Sequence, residues 1–328
     1  MSAPYEPFGR GPSAAGVRGG TLRDSARSRT FPVDVWYPAR ADGPGAEPAA
    51  GVHPVALYCH SSGGDRRSAT FLCTHLASHG YVVAAMDHSE RVAPELSRRE
   101  GETAGERAAR VEAVVSSRVP DLRLLLDAVL DPGTPVMDGL AVDAGRVGLL
   151  GHSFGGWSVL AFPEADARAR AIVAMAPGGI AHPRPGILPL TLTFAWSRPV
   201  AALILGAELD VPIPLDELTA LFERLPPPGR MVVLRRADHQ HFVDDVAGDH
   251  EAVRAMDLPP EAAWLPAGML PASELCPAGD AHLLVRGLAL AHLDAALRGS
   301  RAAAALLDGD VAAALAARGV DAFAVAGR

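Results

Sequence analysis

Residues 146–156 read Arg146-Val147-Gly148-Leu149-Leu150-Gly151-His152-Ser153-Phe154-Gly155-Gly156, and this stretch decides the fold. Arg146 to Leu150 is a short apolar strand, and a helix begins near Gly155 and runs to Phe162. Between them lies a G-x-S-x-G turn. At a strand-to-helix elbow the serine backbone is strained, and flanking glycines let strand and helix pack closely enough to expose the hydroxyl. The amide N–H of Phe154 then points at a developing oxyanion from the helix N-terminus. Ser153 is the candidate nucleophile, against the plainer reading of a glycine-rich helix cap.

Outward from the elbow, short apolar strands alternate with helices. Strands are expected at 31–37, 55–59, 81–86, 146–150, 171–176, 200–205 and, last, 231–234. Helices are expected at 69–79, 104–117, 120–130 and 215–225, with a tail of two Ala/Leu helices at 282–297 and 302–317. Pro120 suits the first turn of its helix, which separates 104–117 from 120–130. Such alternation predicts a mostly parallel sheet covered by helices on both faces. The fold class is therefore α/β. Residues 1–28, rich in Gly, Ser, Arg and Pro, are expected to form a loosely held arm. Residues 29–328 form one domain, with a candidate cap-like insertion at 243–281.

A serine at its ordinary pKa needs a base and an orienting acid, which in this arrangement follow in the order Ser, Asp or Glu, His. The strand at 200–205 runs into Gly206-Ala207-Glu208-Leu209-Asp210, and the strand at 231–234 runs into Asp238-His239-Gln240-His241-Phe242. Ser153, Asp210 and His239 all fall beyond the carboxyl ends of parallel strands, where ligands bind in open α/β sheets. Glu208 and Asp216 compete for the acid, and His241 for the base.

Composition removes other chemistries. The chain has 328 residues, 30 basic and 38 acidic side chains and a formal charge of −8. It contains no lysine and no asparagine, so Walker-lysine, Schiff-base and Cys-His-Asn mechanisms are excluded. The acidity argues against nucleic-acid binding. No apolar run approaches membrane-spanning length, and the N-terminus lacks a secretory h-region, so a soluble, cytoplasmic protein is expected. Cys59, Cys73 and Cys276 have neither disulfide-framework nor metal-ligand spacing. His239, His241, Asp244, Asp245 and His250 match no strong ligand motif, and no metal is expected.

The motifs together resemble the α/β-hydrolase superfamily, in particular serine esterases of the plasma platelet-activating-factor acetylhydrolase and dienelactone-hydrolase-like branch, and bacterial cutinases. The resemblance runs from about Thr30 to Leu297. It rests on Val33-Asp34-Val35-Trp36-Tyr37-Pro38, the His60 turn, the segment Leu76 to His88, the GHSFGG elbow and Asp238 to Phe242. There is one departure. In the acetylhydrolase the acid follows the strand after the nucleophile, where this chain has Met175. Cutinase-like enzymes place it after the following strand, at Asp210. The acetylhydrolase pattern His-Gln-x-Phe matches His239, whereas a cutinase-like His-Phe pairing favours His241. The resemblance places the second oxyanion donor at the Ser62 amide, with Ser61 as runner-up.

The expected activity is serine carboxylic-ester hydrolysis, needing no cofactor and acting on a small-molecule ester. Ser61, Trp157 and Met175 are weaker candidates for the substrate pocket. Alternatives are other serine acyl chemistry (lactone, thioester or amide cleavage, or acyl transfer) and a catalytically silent binding scaffold. Acyl-chain length and oligomeric state are not encoded in these motifs.

Overall fold

The computed structural model describes residues 5–326. Among these, ten strands form one sheet: β1 (Ala14–Asp24), β2 (Arg29–Ala39), β3 (Gly43–Pro44), β4 (Val52–Cys59), β5 (Val82–Met86), β6 (Ala141–His152), β7 (Ala169–Met175), β8 (Ala201–Ala207), β9 (Gly229–Leu234) and β10 (Ala322–Val325). Their order is β10-β9-β8-β7-β6-β4-β5-β2-β1-β3. The run from β5 through β4, β6, β7 and β8 to β9 is parallel. Antiparallel β2 and β10 extend it at the two ends.

The central strands are apolar on both faces because both are covered. Successive side chains of a strand point to opposite faces. Leu149 of β6 therefore joins one buried cluster and Leu150 the other. The first cluster holds Leu122, Leu125 and Leu126 of α3 (Ala104–Leu130), Val159 and Leu160 of α4 (Phe154–Ala165), and Leu218 of α5 (Leu215–Glu223). The second holds Leu72 and Leu76 of α1 (Thr70–Ser78), which precedes the single turn α2 (Ser89–Val92), with Leu284 and Leu288 of the long α-helix Ala278–Arg298. No helix among the described residues is long and apolar enough to cross a membrane.

Four expectations change. The arm expected at 1–28 contains β1, paired residue for residue with β2 from Ala14–Ala39 to Asp24–Arg29. Gly16 lets the Tyr37 ring lie against the strand, so low β-propensity is offset by cross-strand packing. The helices expected at 104–117 and 120–130 are one, α3, with Pro120 inside it. Its buried stripe, Val114, Arg118, Leu122, Leu125 and Val129, continues on both sides of the proline, and burying that stripe outweighs the lost amide bond. Beyond β9, Ala322–Val325 adds a tenth strand, bonded to Met231–Leu234. The helix expected at 302–317 is split at Gly309-Asp310 into Arg301–Asp308 and Val311–Ala316.

Candidate active site

β6 ends at His152, and α4 begins at Phe154, so Ser153 alone makes the turn. Its φ is 56° and its ψ −116°, a left-sided conformation that costs a non-glycine residue about 1–3 kcal/mol. Hydrogen bonds hold it there. The Ser153 amide donates to the Met175 carbonyl (2.9 Å), and the Ser153 carbonyl accepts from Trp157 and Gly178 (3.0 Å each). The glycines are required by close approach. A side chain at Gly155 would strike the Cys59 and His60 carbonyls, and one at Gly156 would lie 2.9 Å from Pro177 Cα. Helix α4 is thereby drawn against the turn that follows β4.

The other two loops arrive from β8 and β9. Asp210 is buried beyond β8, with Oδ1 accepting from the Ile213 amide at 2.7 Å. His239 opens a short 3₁₀ turn, His239–Phe242, after β9. Its Nδ1–H donates to Asp210 Oδ2 at 2.8 Å, which leaves Nε2 as the basic nitrogen. Burial disfavours the imidazolium, but the Asp210 carboxylate outweighs it and holds the His239 pKa above the ordinary histidine value. Burial in turn raises the Asp210 carboxyl, an effect that His239 and the Ile213 amide only partly offset.

The neighbouring histidines are occupied differently. His152 donates from Nε2 to the His239 carbonyl at 2.9 Å, with ring centroids 4.8 Å apart. Burial keeps its pKa well below the usual range, so a neutral ring braces the His239 turn against the elbow. His241 accepts the Asp238 amide at Nδ1 (3.0 Å) and donates from Nε2 to the Cys276 carbonyl (3.2 Å). Of the two histidines weighed as base, His239 is the one paired with a carboxylate. Of the three acids weighed, Asp210 is its partner, while Glu208 instead binds Arg235 and the Arg236 amide.

Asp238 was not among the expected site residues. Its Oδ1 accepts from the His239 amide (2.6 Å) and the Val211 amide (3.2 Å), which ties the two loops together. The available signal was its position as an acidic cap before a helical turn. Asp244 and Asp245 also act as caps: Asp244 takes the Thr70 and Phe71 amides, and Asp245 the Gly248 amide. These carboxylates are thus committed to helix ends.

Ser62 is exposed in a turn closed by the Gly64 amide on the Ser61 carbonyl, 3.2 Å, and Ser61 is half-buried. Phe154 occupies the first position of α4, whose leading amides have no intrahelical acceptor. Trp157 lines an apolar groove of about 410 Å³ with Val111, Val115, Val119 and Pro189. Met175 is wholly buried in the second apolar cluster, so its side chain packs in the core and lines no cleft. Residues 243–281 flank the acid loop. Gly268, Leu270 and Leu275 share a cavity of about 400 Å³ with Asp210 and Asp238, and Trp264 Nε1 donates to the Pro185 carbonyl at 2.9 Å.

A parallel sheet with a serine elbow after β6, an acid after β8 and a histidine after β9 is the α/β-hydrolase fold. Comparison with known proteins agrees. Residues 34–111 match the family model of platelet-activating factor acetylhydrolase, isoform II. A platelet-activating factor acetylhydrolase of Canis lupus familiaris is 24% identical over 226 residues, covering 58% of this chain and 48% of that protein. The chain thus spans about half the length of this curated relative. A solved ferulic acid esterase from Streptomyces cinnamoneus superposes with a TM-score of 0.61 at 23% identity, covering 94% of this chain and 95% of the other.

Proposed function

We propose that the protein is a serine carboxylic-ester hydrolase. Ser153 attacks the ester carbonyl while His239 Nε2 takes its proton, with Asp210 fixing the imidazole tautomer and stabilising the imidazolium. The amides of Phe154 and Ser62 receive the negative charge of the tetrahedral intermediate. His239 then returns the proton to the leaving alcohol, and a water activated by the same nitrogen hydrolyses the acyl-enzyme. Every step uses side chains and amides of the chain together with water, and none calls for a cofactor.

The observation that carries this reading is Ser153 at φ 56°, a strained residue that the glycine contacts and three backbone hydrogen bonds over-determine. Backbone strain of this kind clusters at functional sites, which supports a working role for Ser153. The names of the relatives, an acetylhydrolase and a ferulic acid esterase, both denote ester cleavage and support the same class. We infer a small-molecule ester as the substrate, with the apolar groove lined by Trp157 as the candidate acyl site and residues 243–281 as a cap beside the acid loop. Three free cysteines, Cys59, Cys73 and Cys276, suit a reducing, cytoplasmic setting.

Hydrolysis of p-nitrophenyl esters from acetate to decanoate, by wild type and Ser153→Ala, tests the proposal. Turnover lost in the variant supports it, and the chain-length optimum sizes the acyl site. Equal rates in the two proteins would remove it and favour a silent scaffold.

A further inference from the structure

The steps above leave unused the largest fully buried side chain among the described residues, Arg118 of α3. Taking a guanidinium out of water costs several kcal/mol, and well-packed apolar residues often replace buried ion pairs without loss of stability. Arg118 is incompletely compensated: its Nε and Oε2 of its partner Glu90 are buried with no hydrogen-bond partner among the described residues. A buried ion pair that leaves polar atoms on both partners unbonded is a poor device for stability alone.

What Arg118 does touch is specific. Its Nη1 donates to the His60 carbonyl at 2.8 Å and approaches Cys59 Sγ at 3.4 Å. Its guanidinium lies over the Phe154 ring, 4.1 Å from the centroid. His60 begins the turn that carries Ser61 and Ser62, and Phe154 begins α4. One rigid planar group therefore contacts both segments that supply the oxyanion donors. The same turn is also held by the rings of His60 and His88. His60 donates from Nδ1 to the Ser61 carbonyl (2.7 Å) and accepts the His88 amide at Nε2 (3.2 Å), while His88 Nε2 meets Cys59 Sγ at 3.0 Å.

We propose that Arg118 is a positioning residue of the oxyanion hole: bonded to the His60 carbonyl and stacked on Phe154, it fixes the spacing between the Ser62 and Phe154 amides. The proposal rests on the serine-esterase reading. Arg118 touches no substrate, so its effect falls on stabilisation of the tetrahedral intermediate and spares ground-state binding.

The test uses Arg118→Met, Arg118→Lys and Phe154→Leu, the last keeping the amide and removing the stacked ring. For each, kcat per phosphonate-titrated site and KM are measured with p-nitrophenyl acetate. The affinity for a trifluoromethyl ketone, which adds to the serine as a hemiketal anion, is measured alongside. Losing part of one donor, itself worth about 10²–10³, predicts a fall in kcat of about tenfold or more with KM changed less than twofold. Ketone affinity should fall by the same factor, with Arg118→Lys intermediate. A structural role lowers the titrated fraction and the melting temperature and leaves both per-site quantities alone. That outcome, in Arg118→Lys or Phe154→Leu, overturns the proposal, and Phe154→Leu decides if neither Arg118 variant folds. A wild type that neither turns over ester nor reacts at Ser153 removes the esterase reading itself, and the proposal with it.

Discussion

Replacing Gly155 by alanine perturbs the junction on which the whole site depends. A methyl group there faces the Cys59 carbonyl oxygen, with the Cys59 carbonyl carbon at 2.6 Å and the His60 oxygen at 2.7 Å. All are backbone atoms, so no rotamer change relieves the clash. Opening the nearest approach to a tolerable contact requires α4 and the turn after β4 to separate by about 1 Å. Overpacking of this kind costs about 1–3 kcal/mol, so the melting temperature should drop by several degrees. The larger effect falls on activity. The same movement separates the Phe154 amide from the Ser62 amide, and a misplacement of about 1 Å costs roughly 10²-fold in rate. Calorimetry and p-nitrophenyl acetate hydrolysis, each corrected for titrated sites, measure the two losses. A Gly155→Ala protein with unchanged melting temperature and kcat within threefold of wild type would refute the close junction.

Further outcomes follow from the geometry. Ser153→Gly removes the nucleophile and also the cost of a side chain at φ 56°, so it should be inactive yet more stable by about 1 kcal/mol, read by denaturant titration; lower stability would show that the turn is unstrained. The raised pKa of His239 means that kcat/KM falls as pH drops through a midpoint above the ordinary value of about 6.5. The stability from its pairing with Asp210 is fully present below the unfolded-state pKa and fades as pH rises through the folded one. Asp210→Asn leaves burial opposed only by the nearby Asp238 charge, so the midpoint should move down and kcat fall roughly 10⁴-fold; an unmoved pH profile would exclude the pairing.

Legibility in the sequence followed how local each constraint is. The elbow was readable because its glycines and serine form one contiguous motif between an apolar strand and a helix, although the contacts that require those glycines, with Cys59, His60 and Pro177, are distant in sequence. Asp210 and His239 were readable as loop residues because buried parallel strands announce themselves as short apolar runs. The preference for His239 over His241 rested on the His-Gln-x-Phe resemblance alone, since both lie in one four-residue 3₁₀ turn and only its direction decides which ring meets Asp210. β1 was hidden because Gly16, Gly19 and Gly20 weaken the strand signal, and long-range pairing with β2 supplies what propensity lacks. α3 appeared broken at Pro120 because its stripe is held by a sheet that no local window sees. Arg118 looks like any helical arginine in sequence, and its burial against the turn after β4 is purely tertiary.

The most direct test of the central claim is the site of reaction with a fluorophosphonate, located by peptide mass mapping. Nucleophilic Ser153 predicts one phosphonyl adduct per chain on the peptide containing Ser153, absent in Ser153→Ala and formed much more slowly in Asp210→Asn. An adduct on Ser61 or Ser62, or an unmodified wild-type chain, would contradict it.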